Sequence, residues 1–580
     1  MYQMKSIATA HQAAAESWRF EMRTHDKPAV CAMRLAAAAL GLAVSALQLA
    51  GCASTESLER TEEMPAPAGG DAQELSENES DLPAPPSSTL LCSGALQDCD
   101  GDATNGCETD IFLDSQHCGG CNQPCTHACI DGRCSAPVQL SAGYSGTCAV
   151  LGTGEVRCWG LNYRGELGNG EGGTDTDPVP AIATLAAAPP DRDSSGWNGV
   201  PKWSAQPVPV RTTSGAPLRN VQHVARGRYH GCVLTHAGHV YCWGANQYGQ
   251  LGMGSAGASQ ALAHQVVAPS TAGAPLQAGF LEGAVELAVG PYISCARLAE
   301  GTVACWGRDA FGGLGLGDTN PGNRSMTRPT WVQGQSGGSL QGATHISVGH
   351  SSVCIAAAQS VRCAGRALHG GLGDGSVLDE FSQSFPVNVL GPDGISPWSV
   401  TPSALVHRSG GPCLLDQAGE AFCWGDASGG QVIGAQGRDN PFPISVQRNL
   451  PSATAGSFNQ ISASGQHVCV RNKEGGVLCW GSNVNHQLGR ARTRSEVTLP
   501  GRRLLPPAPP IDPVSGNPLE GIIDISAGDT HTCALTEDHR VLCWGSNLWG
   551  ELGRVEPSAG GVSRAGELPG EVPWPDAAAH

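Results

Sequence analysis

Several features that would point to familiar classes of protein are scarce or missing in this 580-residue chain. Lys and Arg (34) are outnumbered by Asp and Glu (52), and a net charge of −18 argues against a general nucleic-acid binder. Aromatic residues make up only 5% of the chain, which leaves little material for a hydrophobic core. We find no His-Glu-x-x-His, no Gly-x-Ser-x-Gly between a strand and a helix, and no Walker loop. The sequence therefore predicts a protein that is not an enzyme.

Glycine, proline and cysteine are abundant instead. The chain holds 79 Gly and 40 Pro without a collagen-like period, which favours an all-β protein with many turns. Its 24 cysteines are placed in order: seven pairs lie in repeats, eight lie between Cys92 and Cys134, and Cys31 and Cys52 remain. An even framework of this kind indicates an oxidising compartment.

An export signal precedes the cysteine-rich part. A short basic segment that begins at Met33-Arg34, where we expect the signal to start, leads into the apolar run 35–47. This run is too short to span a bilayer and has the length of a signal-peptide core. Leu49-Ala50-Gly51-Cys52 follows and resembles the lipobox of bacterial lipoproteins, which implies cleavage before Cys52 and a lipid on its sulfur. The alternative is a chance cysteine beside an ordinary signal. With Ala at 53, the resemblance predicts a lipid-anchored protein at the bacterial outer membrane or cell surface.

Composition divides the chain into four parts. Residues 52–90 carry nine acidic residues and one basic residue, so they cannot bury a core and should form a disordered tether. The predicted parts are an upstream extension and lipoprotein signal (1–51), the acidic tether (52–90), a Cys-rich module (91–135) and a repeat domain (136–575).

The Cys-rich module is too small to fold on a hydrophobic core, so disulfides must stabilise it. Its eight cysteines allow about 105 pairings, and the sequence does not choose among them. Cys118-Gly-Gly-Cys121 also has the form of half a zinc site, although exported thiols oxidise. The cysteines are Cys92, Cys99, Cys107, Cys118, Cys121, Cys125, Cys129 and Cys134.

Asp98, Asp100 and Asp102 have the alternating spacing of calcium-binding loops. The sixth loop position is Ala103, where an EF-hand requires Gly, and the twelfth is Thr109, so any site would be closed by Glu108 or Asp110. Two interpretations stay open: a calcium site, or a solvated acidic turn. No other cofactor is predicted.

Seven predicted hairpins each carry a cysteine pair. A three-residue loop ending at positive φ places Cys148 opposite Cys158, and Gly154 is the loop residue that needs this conformation. The fourth pair is one residue closer, so its register requires a two-residue loop, Ala358-Gln359. We therefore predict seven cross-strand disulfides, because thiolate metal sites would lack a regular second pair of ligands. The predicted pairs are Cys148 with Cys158, Cys232 with Cys242, Cys295 with Cys305, Cys354 with Cys363, Cys413 with Cys423, Cys469 with Cys479, and Cys533 with Cys543.

An alternating strand precedes most hairpins, and a Trp-Gly turn followed by Gly-x-Leu-Gly comes after them. This pattern, clearest in residues 221–254 and 523–553, resembles the regulator-of-chromosome-condensation repeat over roughly residues 136–575. The resemblance implies a seven-bladed β-propeller in which the two ends of the chain complete one another's blade. The fold expected is thus all-β: a seven-bladed propeller after a disordered tether and a small disulfide-rich module.

Three departures from the repeat carry further expectations. Ala364 replaces Trp in the fourth repeat and Val432-Ile433 replaces Leu-Gly in the fifth, so these blades should be the least regular. His230, His467 and His531 each stand two residues before a cysteine. An isolated His-x-Cys suggests a metal ligand, but recurrence at one structural position favours a packing or hydrogen-bonding role.

Two features are candidates for recognition. The insertion 171–220 contains Trp197 and Trp203 in a Pro/Gly/Asp-rich stretch, which is either a binding loop or an ordinary insertion. The residue at the sixth position of the Trp-Gly turn varies among the repeats. Such variation is expected both of a binding rim and of surface positions that drift without function. The residues at this position are Arg164, Tyr248, Phe311, His369, Gly429, Asn485 and Trp549, of which Tyr248, Phe311 and Trp549 are the rim candidates.

The sequence predicts a lipid-anchored propeller that binds a protein or a glycan outside the cytoplasm and does not bind nucleic acid. The family resemblance implies an alternative, guanine-nucleotide exchange on a small GTPase, which would need a cytosolic partner. A similar fold in a bacterial β-lactamase inhibitory protein implies a second alternative, inhibition of a secreted enzyme. A fold alone does not decide between them.

Overall fold

A computed structural model describes residues 92, 94–102, 105–172, 203–270, 278–318, 322–377, 382–428, 430–433, 439–450, 457–491, 507–554 and 565–574. The predicted signal, the lipid attachment at Cys52, the tether and Trp197 lie outside this part of the chain. Within it, no helix is long and apolar enough to cross a membrane.

The Cys-rich module consists of two small two-stranded sheets and four disulfides. The sheets pair β1 with β2 and β3 with β4, and each strand has only two residues (Leu96–Gln97, Thr109–Asp110, Cys129–Ile130 and Arg133–Cys134). The disulfides are Cys92–Cys107, Cys99–Cys121, Cys118–Cys129 and Cys125–Cys134. Because Cys118 and Cys121 have different disulfide partners, they do not form half a zinc site.

Seven antiparallel sheets form the blades of a propeller, as predicted. The first four blades are β5–β8 (Pro137–Ala142, Gly146–Leu151, Val156–Leu161, Trp203–Pro209), β9–β12 (Val221–Arg226, His230–Thr235, Val240–Asn246, Gly257–Gln265), β13–β16 (Ala284–Val289, Ile293–Leu298, Val303–Asp309, Arg324–Trp331) and β17–β20 (Ala343–Val348, Ser352–Ala357, Ser360–Arg366, Ser382–Asn388). The last three are β21–β24 (Pro402–Arg408, Gly411–Asp416, Ala421–Gly425, Asn440–Ser445), β25–β27 (Phe458–Ser464, His467–Asn472, Val477–Gly481) and β28–β31 (Ile522–Ala527, His531–Thr536, Val541–Ser546, Ala565–Glu571). Two short 3₁₀ turns, Leu368–Gly370 and Gln447–Asn449, complete the described elements.

The second and third strands of every blade form the predicted hairpin. Cys148 faces Cys158, and Gly154 closes the loop at a φ of +78°. In the fourth blade Ala357 pairs with Ser360, so the loop has two residues and Cys354 still faces Cys363.

All seven cysteine pairs of the blades are disulfide-bonded, which confirms the register predicted from the turns. In each blade the two cysteines are directly opposed in the ladder between the second and third strands. Their Cα atoms lie 4.0–4.2 Å apart, closer than the roughly 4.5 Å of an ordinary directly opposed pair. The bonds join Cys148 to Cys158, Cys232 to Cys242, Cys295 to Cys305, Cys354 to Cys363, Cys413 to Cys423, Cys469 to Cys479, and Cys533 to Cys543.

Each blade is built from consecutive strands, with its first strand innermost. The family resemblance implied that the two ends of the chain share a blade, and this expectation is wrong. The first blade runs from Pro137 to Pro209 and the seventh from Ile522 to Glu571, and neither borrows a strand. Side chains close the ring instead: the Leu140 N–H donates to Asp524 Oδ2 (2.7 Å).

The irregularity expected in the fourth and fifth blades lies in their contacts and not in their strands: Ala364 cannot donate an indole hydrogen bond, and Trp424 Nε1 has no hydrogen-bond partner among the described residues. The fourth and fifth each have four strands, whereas the described residues give the sixth only three, with a single bridge between Cys479 and Ala508 in the outer place. The loss of Trp at Ala364 does not disturb the strands, because the ladder is made by backbone groups.

Polar side chains of one inner strand satisfy backbone groups of the next. Ser141 Oγ accepts from the Arg226 N–H (2.9 Å), and Ser526 Oγ accepts from the Ala142 N–H (2.8 Å). An inner strand is the edge of its sheet, and its unpaired N–H groups would be costly away from water. These hydroxyls therefore allow the inner strands to approach one another around the axis.

Six blades carry a fully buried Trp in the Trp-Gly pair, and five of these rings join two blades. In each, the indole Nε1–H donates to a backbone carbonyl of the preceding blade at 2.9–3.0 Å; we call this bond the tryptophan latch. The acceptor is always the second residue of the Gly-x-Leu-Gly segment or its equivalent. The pairs are Trp159 with Glu551, Trp243 with Glu166, Trp306 with Gln250, Trp480 with Gln431, and Trp544 with Gln487.

The recurrent histidines strengthen two of these latches. His230 Nε2 lies 2.7 Å from Ser294 Oγ, and that hydroxyl donates to the same Gln250 carbonyl that accepts from Trp306. His467 contacts Thr532, whose hydroxyl donates to the Gln487 carbonyl that accepts from Trp544. His531 Nε2 lies 2.8 Å from Thr147 Oγ1. Burial lowers the pKa of all three histidines to about 3, so the rings are neutral. They have the hydrogen-bonding role that their recurrence favoured.

The latch should be measurable by comparing two Trp→Phe variants. Trp306→Phe removes a hydrogen bond to Gln250, whereas Trp424→Phe removes an equally buried ring whose Nε1 has no hydrogen-bond partner among the described residues. We expect Trp306→Phe to lower the free energy of unfolding by about 1–2 kcal/mol more than Trp424→Phe. Denaturant titration with intact disulfides measures this difference, and equal losses would show that the ring acts through packing alone.

A candidate binding face at the mouth of the central channel

The seven inner strands surround a cavity of about 600 Å³ on the propeller axis. Its neck is made by glycines that touch the next blade. A Cβ added to Gly227 would lie 2.3 Å from the Gly290 carbonyl oxygen, and one added to Gly290 would lie 2.5 Å from that of Gly349. Both distances are too short for a side chain, so the close approach of these blades at the neck requires glycine. The chain leaves each neck position in a turn that reaches the mouth of the channel.

Aromatic and arginine side chains of the first four blades alternate around one side of this mouth. They come from the turn after the inner strand, from the end of the third strand, and from the sixth position of the Trp-Gly turn. We call the set the arginine–aromatic arc: the rings of Tyr144, Tyr229, Tyr248, Tyr292 and Phe311, and the guanidinium groups of Arg164, Arg228, Arg308 and Arg366.

Each arginine of the arc lies over a ring of a neighbouring blade. The guanidinium carbon of Arg228 is 3.8 Å from the ring centre of Tyr144, and that of Arg308 is 5.1 Å from Tyr248. Arg164 lies 5.2 Å from Tyr229, and Arg366 lies 4.9 Å from Phe311. All four distances are within the range of cation–π attraction. The rings also touch one another, with centroids of Tyr229 and Tyr292 5.4 Å apart.

The arc carries positive charge that the protein does not neutralise by ion pairs at three of its arginines. No described carboxylate lies within ion-pair distance of Arg164, Arg228 or Arg308; Arg164 donates to Gln247 Oε1 (3.1 Å) and Arg308 to Asn323 Oδ1 (2.9 Å). Desolvation and the charges of Arg228, Arg308 and Arg366 lower the pKa of the neighbouring His350.

The other side of the mouth is different in character. The fifth, sixth and seventh blades present Ser409, Gly465 and Asp529 at the positions equivalent to Tyr144 and Arg228. Ser464 donates to Asp529 Oδ1 (2.6 Å). One half of the face is therefore cationic and aromatic, and the other half is small, polar and acidic.

Buried acceptors fix the sixth position of the Trp-Gly turn, where several arc residues lie. Gln250 Oε1 accepts from the Tyr248 N–H (2.9 Å), and Glu166 Oε2 accepts from the Arg164 N–H (2.6 Å). Glu551 holds the Trp549 N–H in the same way (2.7 Å). Burial raises the pKa of both Glu166 and Glu551 to about 7. The residue that accepts the tryptophan latch through its carbonyl thus positions the rim through its side chain.

The structure brings two of the predicted rim residues into the arc and separates the others. Tyr248 and Phe311 belong to it, and Phe311 is 40% exposed. Trp549 is only 8% exposed, because its ring packs edge-on against Tyr163 (5.5 Å), so it does not form part of an open rim. Trp203 begins the outer strand of the first blade and pairs with Leu161, so it is not a loop residue.

Most of the arc was not predicted. Tyr144, Arg228, Tyr229 and Tyr292 stand one or two residues after the neck glycines Gly143, Gly227 and Gly290. Aligning the repeats at that glycine would have shown the enrichment in Tyr and Arg. The sequence alone offered no reason to join this position with the sixth position of the Trp-Gly turn, since they meet only across a blade interface.

In the Cys-rich module, ligand atoms of Asp98, Asp100 and Glu108 lie within 4.8 Å of one another. Glu108, which the sequence offered as a closing residue, takes the third place and Asp102 does not. The carboxylates also accept hydrogen bonds within the turn: Asp98 Oδ1 from the Gly101 N–H (2.7 Å) and Glu108 Oε1 from the Cys99 N–H (2.9 Å). The arrangement fits both open interpretations, so the calcium site stays a prediction.

Comparison with known families matches the repeats. A family model described as Regulator of chromosome condensation (RCC1) repeat matches residues 138–166, 221–250, 458–487 and 522–548, and a second model of this repeat matches residues 237–296. Each match of the first model covers an inner strand, a hairpin and the Trp-Gly pair of one blade.

Individual relatives match parts of this chain. The human E3 ubiquitin-protein ligase HERC2 is 30% identical over 256 residues, which is 43% of this chain but only 5% of the ligase. The Ultraviolet-B receptor UVR8 of Arabidopsis thaliana is 25% identical over 423 residues, 71% of this chain and 78% of the receptor. A solved structure of yeast RCC1 (Prp20) with Kap60 covers 77% of this chain and 86% of its own, at 16% identity and a TM-score of 0.49.

We expect Glu551→Gln to stabilise the folded protein at alkaline pH. Burial raises the folded pKa of Glu551 from 4.5 to about 7, so the folded state keeps a proton that the unfolded state releases. Stability therefore falls as the pH rises through this window and stays low above it. The amide retains the hydrogen bond to Trp549 and removes a penalty of up to about 3 kcal/mol. Denaturant titrations at about pH 5 and about pH 8 measure it.

The reverse change provides the matched control. Gln487 is the equivalent residue of the sixth blade and accepts from the Asn485 N–H (2.8 Å). Gln487→Glu should add a pH dependence of the same sign. If the stability of Glu551→Gln fell as steeply with pH as that of the unmodified protein, the pH dependence would not come from Glu551.

Proposed function

We propose that this chain, a propeller of regulator-of-chromosome-condensation repeats, is a lipid-anchored scaffold that binds a protein partner outside the cytoplasm of a bacterium. The arginine–aromatic arc carries the proposal. Its rings and guanidinium groups converge at the channel mouth, and three of its arginines have no described ion-pair partner. Tyr and Arg held in a preformed surface are the residue types that contribute most to protein interfaces.

The disulfides support the compartment. All 22 described cysteines form 11 disulfides, and the 14 in the blades are buried. Such a framework forms and persists in oxidising compartments and is rare in a reducing cytosol. The alternative function, nucleotide exchange on a cytosolic GTPase, requires the opposite environment.

The membrane partner is proposed from the sequence around Cys52. The lipobox-like Leu49-Ala50-Gly51-Cys52 and the following Ala53 support a lipid anchor at the outer membrane or cell surface. A glycan partner and inhibition of a secreted enzyme stay predictions from the sequence.

Lipid labelling and cysteine alkylation, before and after reduction, test the proposal in a bacterial host with two membranes. We expect the full chain to incorporate labelled palmitate, and Cys52→Ala to lose the label. The 22 cysteines from Cys92 to Cys543 should resist alkylation until the protein is reduced, and surface protease should reach the propeller. The chain and its Cys52→Ala variant share every other cysteine, so the two readouts are independent.

An unlabelled, cytosolic protein with alkylatable blade cysteines would overturn the proposal. It would favour the alternative function, guanine-nucleotide exchange. Labelled protein with oxidised blades but no protease access would place the scaffold at the periplasmic side of the membrane.

A further inference from the structure

We infer that the arginine–aromatic arc binds an acidic, extended peptide segment of a protein partner. This inference rests on the proposed function and specifies the chemistry of the partner. It goes beyond the family resemblance, because the arc is built from positions that vary among the seven repeats of this chain.

The geometry of the arginines favours a carboxylate ligand. A guanidinium stacked on a ring uses its face for the cation–π contact and keeps its N–H edge for hydrogen bonds in the plane. Arg228 lies 3.8 Å from the ring centre of Tyr144, and its Nε is buried without a hydrogen-bond partner among the described residues. A buried donor of this kind is costly unless an acceptor completes it. A carboxylate meets that requirement with two oxygens in one plane.

The distribution of the arginines favours an extended segment over a single small anion. The four arginines belong to four successive blades, and their ring contacts cross the three interfaces between those blades. They are Arg164, Arg228, Arg308 and Arg366. A small anion would meet one or two of them. An extended chain advances about 3.3 Å per residue with alternating side chains, so its carboxylates can meet successive blades while its backbone crosses the tyrosines.

The rest of the mouth disfavours nucleic acid as the ligand. Asp529 lies at the end of the arc, where its N–H donates to the Gly143 carbonyl (3.1 Å), and the chain carries a net charge of −18. A duplex presents a negative charge about every 1.7 Å over a wide surface and would meet this acidic half as well as the arc. A narrow acidic segment avoids that repulsion.

The test uses the full chain and a fluorescein-labelled peptide of about ten glutamates. We expect saturable binding that weakens as salt is added. Arg164→Gln with Arg308→Gln should raise the Kd at least tenfold, since two charges of the arc are lost. The control, Arg211→Gln with Arg362→Gln, removes the same charge outside the arc, where Arg211 donates to the Gly215 carbonyl and Arg362 to Asn388. It should change the Kd less than twofold.

A second variant separates charge from planar hydrogen bonding. Arg228→Lys keeps the positive charge but loses the forked donor, so we expect weaker binding of the glutamate peptide with a similar salt dependence. Thermal unfolding of each variant shows whether the fold is retained, and the Arg164/Arg308 pair remains decisive if Arg228→Lys is unstable.

Three results would overturn the inference: no binding of the peptide, equal losses in the arc and control variants, or tighter binding of a ten-nucleotide single-stranded DNA than of the peptide. None of these would alter palmitate labelling or thiol protection. Failure of the acidic-peptide inference is therefore distinguishable from failure of the proposed scaffold.

Discussion

The tryptophan latch is the interaction on which the propeller and its binding face both depend. A single blade cannot bury both faces of its sheet, so it is stable only when its neighbours are held at a fixed angle. The latch sets that angle at five interfaces, through an indole of one blade and a carbonyl of the preceding one. At Glu166, Gln250 and Gln487 the side chain of the accepting residue also holds the turn that carries Arg164, Tyr248 or Asn485. Blade packing and rim position are thus set by the same residues.

The disulfides and the latches stabilise different levels of the structure. Every disulfide closes a short segment, with sequence separations of 9 to 22 residues, so each one fixes a hairpin or a part of the small module. None joins two blades. Cohesion between blades comes from hydrogen bonds and packing, including the contact of Asp524 with Leu140 that closes the ring. The fourth blade, with Ala364 in place of Trp, lacks a latch to the third, and there Arg366 over Phe311 provides a cross-blade contact of another kind.

Local spacing predicted what local geometry determines. The facing of Cys148 and Cys158 follows from a turn of known length, because both cysteines lie within one hairpin. The arc depends on pairs such as Arg228 with Tyr144, which are 84 positions apart and meet only after two blades have packed. Trp549 was predicted to lie in the rim because an aromatic residue stands at the correct repeat position. Tyr163 of the adjacent blade covers its ring, so the prediction from one repeat was wrong. Whether a rim residue is exposed depends on the side chains of the neighbouring blade, so the sequence of one repeat cannot predict it.

Charge explains why the arc should act through fit more than through long-range attraction. Most of the net negative charge lies between residues 52 and 134, and the 446 residues that follow carry a net charge of only −6. Such a domain has a weak field, and fields fade over a Debye length of about 8–10 Å at physiological salt. Arg164, Arg228 and Arg308 can therefore attract an acidic segment only once it is near the mouth. There the rings exclude water and strengthen each contact. Affinity would then depend on how well the carboxylates meet guanidinium edges that the tyrosines already hold in place.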